Sequence, residues 1–320
     1  MDIVGIGRPC IDILTIVEKL PKPNSGSGII DFSRQGGGNV ATAMVAAARL
    51  SADVGFIGLS GICVNGRFIR EDFGYNNVDI SHGVIIEDKP SDFAIILSDL
   101  ETKGRSIMYK GNNMRRIDVK DLDRDYITSA DILHLEGCGE PEKTAALWMR
   151  EAGKKVAYDV SGYSEAIKNF TPYIDIFIAS EFYYNTAFGD DKDYEKNCKI
   201  IAESGPEIVV FTLGEKGCVG YSKDEGFFAE ESFDVTVFDT LGAGDVYHGA
   251  FLAGLSKGMK VRETARFANA VASIKIGYIG GRAGIPSFET VMDFINTGKF
   301  DDTEIKHRVE HYRNRWLYGE

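Results

Sequence analysis

The sequence predicts an α/β fold, in which a mostly parallel sheet is covered by helices and a small β-sheet forms a lid. Short apolar runs alternate along the chain with stretches whose apolar residues recur at helical spacing. This alternation is typical of parallel strands joined by crossover helices that cover both faces of a sheet. With 320 residues, 44% of them hydrophobic, the chain can bury a large core, and we expect one domain over residues 1–320.

The elements of the main sheet follow from these two periods. The predicted strands are residues 2–7, 53–58, 131–135, 155–160, 174–179 and 207–214. The predicted helices are residues 39–50, 65–76, 141–153, 193–204, 245–258 and 261–277, and a mixed-charge last helix is expected near the C-terminus.

Two segments interrupt this alternation and predict the lid. Residues 12–35 and 83–110 alternate apolar and polar side chains without helical spacing. Such alternation indicates hairpins or a small sheet separate from the main one. Open α/β sheets bind ligands at the carboxyl ends of their strands, so we expect the lid to cover that edge.

Charge and composition exclude several classes of protein. The formal net charge of −12 disfavours sequence-independent nucleic-acid binding, which depends on Lys and Arg at phosphates. The five cysteines show no paired spacing, which favours reduced thiols over a zinc site or disulfides. The chain shows no signal peptide and no apolar run of membrane-spanning length, so we expect a cytoplasmic protein without membrane contact.

The stretch DTLGAGDVYHGAF, residues 239–251, carries the strongest chemical signal. Gly242, Ala243 and Gly244 lead into a helix, and the backbone N–H groups of Ala243, Gly244 and Asp245 predict an anion hole for a phosphoryl group. Asp245 is placed to accept a proton from an attacking hydroxyl. A simple helix N-cap would explain this acid but would leave the three small residues before it unexplained.

A second glycine-rich stretch, GGGNVATAMVAAARL at residues 36–50, opens an Ala-rich helix. Close packing explains the alanines, but consecutive glycines cost backbone entropy and indicate close approach of a ligand. Asn39 and Thr42 would supply polar groups there.

These two stretches resemble the signatures of the PfkB, or ribokinase-like, carbohydrate kinases. Asp12 and the segments HLEG, TLGEKG and GGRAGIP follow in the family's order, so the resemblance spans roughly residues 2–296. It implies a ribokinase-like fold, which is a Rossmann-like αβα sandwich with a β-lid through which a homodimer can form. It also implies transfer of the γ-phosphoryl group of ATP to a sugar hydroxyl.

The resemblance also implies roles for individual residues. Asp245 would be the general base, and Gly242, Ala243 and Gly244 the anion hole. The positions that match sugar-binding residues are Asp12, Gly37, Gly38, Asn39, Thr42 and Glu136. The positions that match nucleotide-binding residues are Thr212, Gly214, Gly217 and Asn269. Asp239 and the carbonyl of Leu241 match a monovalent-cation site, which implies K⁺ besides ATP and Mg²⁺.

Some positions depart from the family pattern. The family's N-x-x-E segment, which organises Mg²⁺, is Ser180–Tyr183 here, where Glu181 is the available acid. Cys10 falls where ribokinase has an asparagine that contacts the sugar, which disfavours ribose itself. Arg282 is placed either beside the nucleotide or on a solvated loop. Two alternatives stay open: a sugar-binding regulator with little catalysis, and a nucleoside kinase of the same fold.

Overall fold

The computed structural model describes residues 1–102, 104–112 and 114–318. Its strands are β1 Ile3–Ile6, β2 Cys10–Val17, β3 Ile29–Gly37, β4 Val54–Ile57, β5 Leu59–Gly61, β6 Val84–Ile86, β7 Phe93–Asp99, β8 Arg105–Lys110, β9 Ile132–Leu135, β10 Lys155–Val160, β11 Ile176–Ser180, β12 Ile208–Thr212, β13 Cys218–Ser222 and β14 Gly226–Glu230. Its helices are α1 Asn39–Arg49, α2 Val64–Tyr75, α3 Arg124–Thr128, α4 Glu140–Glu151, α5 Glu165–Phe170, α6 Glu181–Phe188, α7 Tyr194–Glu203, α8 Ala243–Ser256, α9 Val261–Lys275, α10 Phe288–Thr297 and α11 Thr303–Tyr318.

The main sheet has eight strands in the order β14-β13-β12-β11-β10-β9-β1-β4. The six strands from β12 to β4 are parallel and correspond to the six predicted strands. The two edge strands, β13 and β14, are antiparallel and were not predicted. The mostly parallel sheet of the predicted fold class is therefore confirmed, with an antiparallel hairpin added at one edge.

Successive side chains of a strand point to opposite faces of the sheet, and helices bury both faces of this one. Ile3, Ile132 and Ile178 pack in one apolar cluster with α1, α2, α8, α9 and α10. Their neighbours in sequence, such as Val4 and Leu133, pack in a second cluster with α4, α6 and α7. This two-sided burial explains why the strands appear as short apolar runs in the sequence.

The lid is a four-stranded sheet in the order β3-β2-β7-β8. Strand β2 pairs antiparallel with β3 and parallel with β7, and β7 forms a hairpin with β8. The start of the predicted lid segment 83–110 lies elsewhere, because β6 pairs with β5 in a separate two-stranded sheet. Apolar side chains are exposed on β3 and β8, at Ile29, Ile30 and Ile107, and a homodimer through the lid stays a prediction.

The lid and the main sheet meet above the carboxyl ends of the parallel strands. A small apolar cluster joins Leu14, Ile16 and Ile96 of the lid to Ile279, which follows α9. Among the helices of the described residues, none is both long and apolar enough to cross a membrane.

Candidate active site

A pocket lies between the lid and the carboxyl ends of β1, β9 and β10. It gathers eight of the residues that the sequence singled out: Asp12, Gly38, Asn39, Thr42, Glu136, Leu241, Gly242 and Asp245. Its wall also includes Cys10, which falls where ribokinase has a sugar-contacting asparagine, and the residues Arg8, Ala94, Ile96, Ile107, Tyr109, Ser161 and Gly281. The residues predicted for the acceptor and those predicted for phosphoryl transfer therefore share one cavity.

The turn before α8 is shaped by glycines. Gly242 has a φ of 70°, and a side chain there would also approach the Cα of Gly281 to 2.9 Å. A Cβ at Gly244 would meet open space, so the protein's own packing does not demand a glycine at this position. Space left at a helix N-terminus suits a ligand that approaches the backbone closely.

The amide groups of this turn divide into two kinds. The N–H of Ala243 donates to the carbonyl of Thr240 at 3.3 Å, so it is occupied by the turn. The N–H groups of Gly244 and Asp245 donate no hydrogen bond to any of the described residues. The predicted three-donor anion hole therefore has two unengaged amides at the start of α8, where the helix dipole favours negative charge.

Asp245 lies in the first turn of α8 and faces the pocket. No hydrogen bond from the described residues reaches its carboxylate, so it does not act as a side-chain cap. Burial raises the pKa of Asp245, and the negative charges of Asp159 and Asp12 raise it further. A carboxylate with a raised pKa and no partner is suited to accept a proton.

Asp12 lies on β2, opposite Gln35 of β3. A side chain at Gly37 would collide with the Asp12 carboxylate, so the glycine lets the acid lie against the backbone. Burial raises the pKa of Asp12 to about 6, and Arg282 acts in the opposite direction. Thus Gly37 lies outside the pocket wall and determines where Asp12 sits.

Glu136 follows β9 and fixes the start of α1. Its carboxylate accepts hydrogen bonds from the N–H of Arg8 at 2.6 Å and from the N–H of Val40 at 3.1 Å. Burial nevertheless raises the pKa of Glu136 to about 7, because the two amides only partly offset the lost solvation. Glu136 therefore holds two loops of the pocket together besides facing its interior.

Arg282 is fully buried, so the solvated-loop position expected for it is wrong, while a position beside the nucleotide stays a prediction. Its guanidinium pairs with Asp72 at 2.5 Å and donates to the carbonyl of Gly37 at 3.1 Å and to Oγ1 of Thr42 at 3.3 Å. The side-chain Oε1 of Gln35 completes the contact from the lid by accepting a hydrogen bond from the backbone N–H of Arg282 at 2.7 Å. Arg282 thus supports the acceptor side of the pocket from behind.

The residues predicted for the nucleotide do not line this pocket; three follow or end β12, and Asn269 lies on α9. Thr212 ends β12, and Gly214, with a φ of 59°, follows in open space. Gly217 is needed for packing, because a side chain there would strike the carbonyl of Glu230. Asn269 is buried and donates its amide to the carbonyls of Glu230 and Glu231, both at 3.1 Å. Gly217 and Asn269 therefore have structural roles beside the end of β14.

Metal ligands are sparse. Glu181 begins α6 behind the capping Ser180 and does not line the pocket. Among residues 1–102, 104–112 and 114–318, no group of three or more His, Cys, Asp or Glu side chains is placed to hold a metal ion.

The position predicted for K⁺ is taken by a side chain. The ammonium of Lys275 donates to the carbonyls of Asp239, at 3.0 Å, and of Leu241. The Asp239 carboxylate is engaged as well, because it accepts the N–H groups of Leu241 and Gly280. A monovalent cation does not fit where its oxygen ligands already bind an ammonium, so this expectation is corrected.

Two buried charged residues near Asp245 were not identified from the sequence. Lys275 is the last residue of the amphipathic helix α9, and the spacing of apolar residues along that helix does not show that the lysine side chain points into the protein. Asp159 lies near the carboxyl end of β10 and is buried. Its position at that edge of a parallel sheet is a signal that could have identified it.

An acid beside unengaged amides at a helix N-terminus, below a lid, is the arrangement of a phosphotransferase that acts on an alcohol group. The family model described as pfkB family carbohydrate kinase matches residues 2–287. The chain therefore belongs to the pfkB family of carbohydrate kinases, and its ribokinase-like fold and kinase activity are those of an ATP-dependent family.

Individual relatives are more distant. A 5-dehydro-2-deoxygluconokinase of Clostridium perfringens is 28% identical, with 93% of this chain and 94% of the relative covered. A nucleoside kinase of Methanothermobacter thermautotrophicus is 24% identical over 89% of this chain and 92% of its own. The structure of Arabidopsis thaliana ribokinase complexed with ribose and ATP is similar in fold, with a TM-score of 0.78, 23% identity and coverage of 94% and 99%.

Proposed function

We propose that this chain transfers the γ-phosphoryl group of ATP to a hydroxyl of a small polyhydroxylated substrate, with Asp245 as general base. The observation that carries the proposal is the Asp245 carboxylate, which faces the pocket without a hydrogen-bond partner among the described residues. Asp245 follows Gly244, whose backbone N–H is unengaged among the described residues, and it shares the pocket with Asp12. The acceptor and the phosphoryl group would therefore meet at this carboxylate.

The reaction follows from this placement. The substrate hydroxyl gives its proton to Asp245 while its oxygen forms a bond to the γ-phosphorus. The bond from that phosphorus to the bridging oxygen breaks, and ADP leaves with the electron pair. The amides of Gly244 and Asp245 stabilise the negative charge on the transferring group.

We place the nucleotide over the ends of β11 and β12, beside Thr212 and Gly214. Mg²⁺ would supply charge neutralisation at the phosphates. Because no group of three or more acidic, His or Cys side chains among the described residues is placed to hold a metal ion, the ion would be held by ATP oxygens and water, with Glu181 as the acid that the sequence offers for this role.

The acceptor would lie on Asp12, Asn39 and Glu136, whose groups can hydrogen-bond several hydroxyls. The name of the clostridial relative makes 5-dehydro-2-deoxygluconate the first substrate to test. Arg8 is the cationic side chain on the pocket wall that could meet a carboxylate, and it is paired with Asp92 at 2.5 Å while half exposed. Ketoses, hexoses, pentoses and nucleosides complete the panel.

The test is the Asp245→Asn variant in a coupled assay of ADP release. Turnover should fall by about 10²- to 10⁴-fold, because the amide cannot accept the proton, while the affinity for ATP changes little. Asp293→Asn removes an exposed acid on α10 and serves as the matched control. Turnover close to wild type in Asp245→Asn would refute the proposed base. Sugar binding without ADP release from wild type would instead favour the regulator.

A further inference from the structure

Lys275 is a buried cation that the proposed reaction does not use directly. It is the last residue of α9, and its side chain is fully buried. Its ammonium donates to the carbonyls of Asp239 and Leu241, which lie immediately before the turn at Gly242. One positive charge therefore joins the end of α9 to the segment that leads into the anion hole.

The groups around Lys275 balance its charge without a direct ion pair. The charged groups that face it are Asp239 and Asp245, which favour the ammonium, and Arg105, which opposes it. Burial outweighs them and lowers the pKa of Lys275 to about 8. The hydrogen bonds to the carbonyls of Asp239 and Leu241 place this ammonium directly behind the segment that leads to the amides of Gly244 and Asp245.

A monovalent metal ion at this place would have the same charge and would bind the same two carbonyl oxygens. Both cannot be present, because the oxygens are occupied and two like charges in contact repel strongly in a buried site. The ammonium is also attached to the chain, so it needs no ion from solution.

We propose that Lys275 acts as a tethered cation that replaces a monovalent metal ion and holds the anion-hole segment in position. It is a positioning residue, because it acts through the backbone of Asp239 and Leu241. The proposal rests on the proposed function, since the segment it holds is the one that would receive the phosphoryl group. It predicts that phosphoryl transfer by this chain does not depend on K⁺.

The first experiment uses the wild-type protein. ADP release is measured with the substrate found in the panel, in buffers whose only monovalent cation is tetramethylammonium or, in parallel, K⁺. The rates should agree within about twofold, and K⁺ should not raise the melting temperature. A large increase of rate or melting temperature with K⁺ would overturn the proposal.

The second experiment uses Lys275→Met, which keeps the side-chain stem and removes the ammonium. Turnover in tetramethylammonium should fall by about 10- to 10³-fold, since the anion hole loses its support. K⁺ or NH₄⁺ should restore part of the rate and raise the melting temperature of this variant only. Lys260→Ala, which removes an exposed lysine just before α9, should behave as wild type.

The outcomes separate the two proposals. A folded Lys275→Met protein that gains neither rate nor melting temperature from K⁺ or NH₄⁺ would overturn the tethered-cation role. Failure of the proposed function would appear differently, as no substrate-stimulated ADP release from wild type with either cation.

Discussion

Two buried cations, seven residues apart, support opposite halves of the pocket. Lys275 lies behind the anion-hole segment and donates to backbone carbonyls. Arg282 lies behind the acceptor loop and forms a direct ion pair with Asp72 at 2.5 Å. Both side chains are fully buried.

The difference is in how each charge is compensated. Arg282 is always protonated, and its planar guanidinium joins α1, α2 and the end of β3 through Thr42, Asp72 and Gly37. Lys275 has no carboxylate in hydrogen-bond contact and a pKa that burial brings to about 8. Arg282 therefore links the acceptor half of the pocket through a charge that does not titrate, whereas Lys275 supports the anion-hole segment through a charge that does.

The largest effect is expected from Arg282→Met. Asp72 is fully buried and would lose its closest charged partner, so the free energy of unfolding should fall by about 3–5 kcal/mol. Urea denaturation measures this change.

Its control is Arg124→Met, which removes an exposed ion pair with Glu151 and should cost under about 1 kcal/mol. Replacing Asp72 by Asn in the Arg282→Met background should recover part of the loss. If Arg282→Met were no more destabilising than Arg124→Met, Arg282 would not be the structural link described above.

Much of the fold could be predicted because local patterns agree with it. The parallel strands are continuous apolar runs, and α1, α8 and α9 carry apolar residues at helical spacing. The hairpin β13–β14 was missed because its strands are short and lie at a sheet edge. Helices α5 and α6 were also missed, since six or eight residues give little periodicity.

The site was predictable only where a local feature marks it. Gly242 and Asp245 belong to a recognisable turn and helix start, and the structure places both at the pocket. The positions of Lys275, at the end of α9, and of Arg282, in the loop after it, depend on the direction of each side chain, and tertiary packing decides that direction. A lysine or an arginine in that segment appears from sequence alone as an ordinary surface charge.

An effect of intermediate size is expected in the pH dependence of the free energy of unfolding, through the titration of Lys275. The pKa of Lys275 is about 8 in the folded chain and takes the ordinary value of 10.5 when unfolded. Between these values the unfolded chain binds more protons, so raising the pH stabilises the folded state. From pH 8 to pH 9.5, the free energy of unfolding of wild type should rise relative to Lys275→Met by about 2 kcal/mol.

Activity should change in the opposite direction over the same range, because the tethered charge is lost as the stability increases. A rate that follows stability upward would contradict the role of the ammonium. The corresponding difference between wild type and Arg282→Met should stay constant with pH, since arginine keeps its proton. Urea denaturation at several pH values, beside initial rates, measures both quantities.

The smallest effect is expected at Thr42, whose hydroxyl either binds the substrate or supports Arg282. Its hydroxyl lines the pocket and also accepts a hydrogen bond from Arg282 at 3.3 Å. Thr42→Val leaves that donor unpaired and should cost about 1 kcal/mol of stability, while Thr42→Ser should restore it. If the hydroxyl serves mainly Arg282, KM for the acceptor should change little in either variant. A large rise of KM in Thr42→Val with unchanged stability would instead assign the hydroxyl to the substrate, and Arg282 would then support the acceptor half only through Gly37 and Asp72.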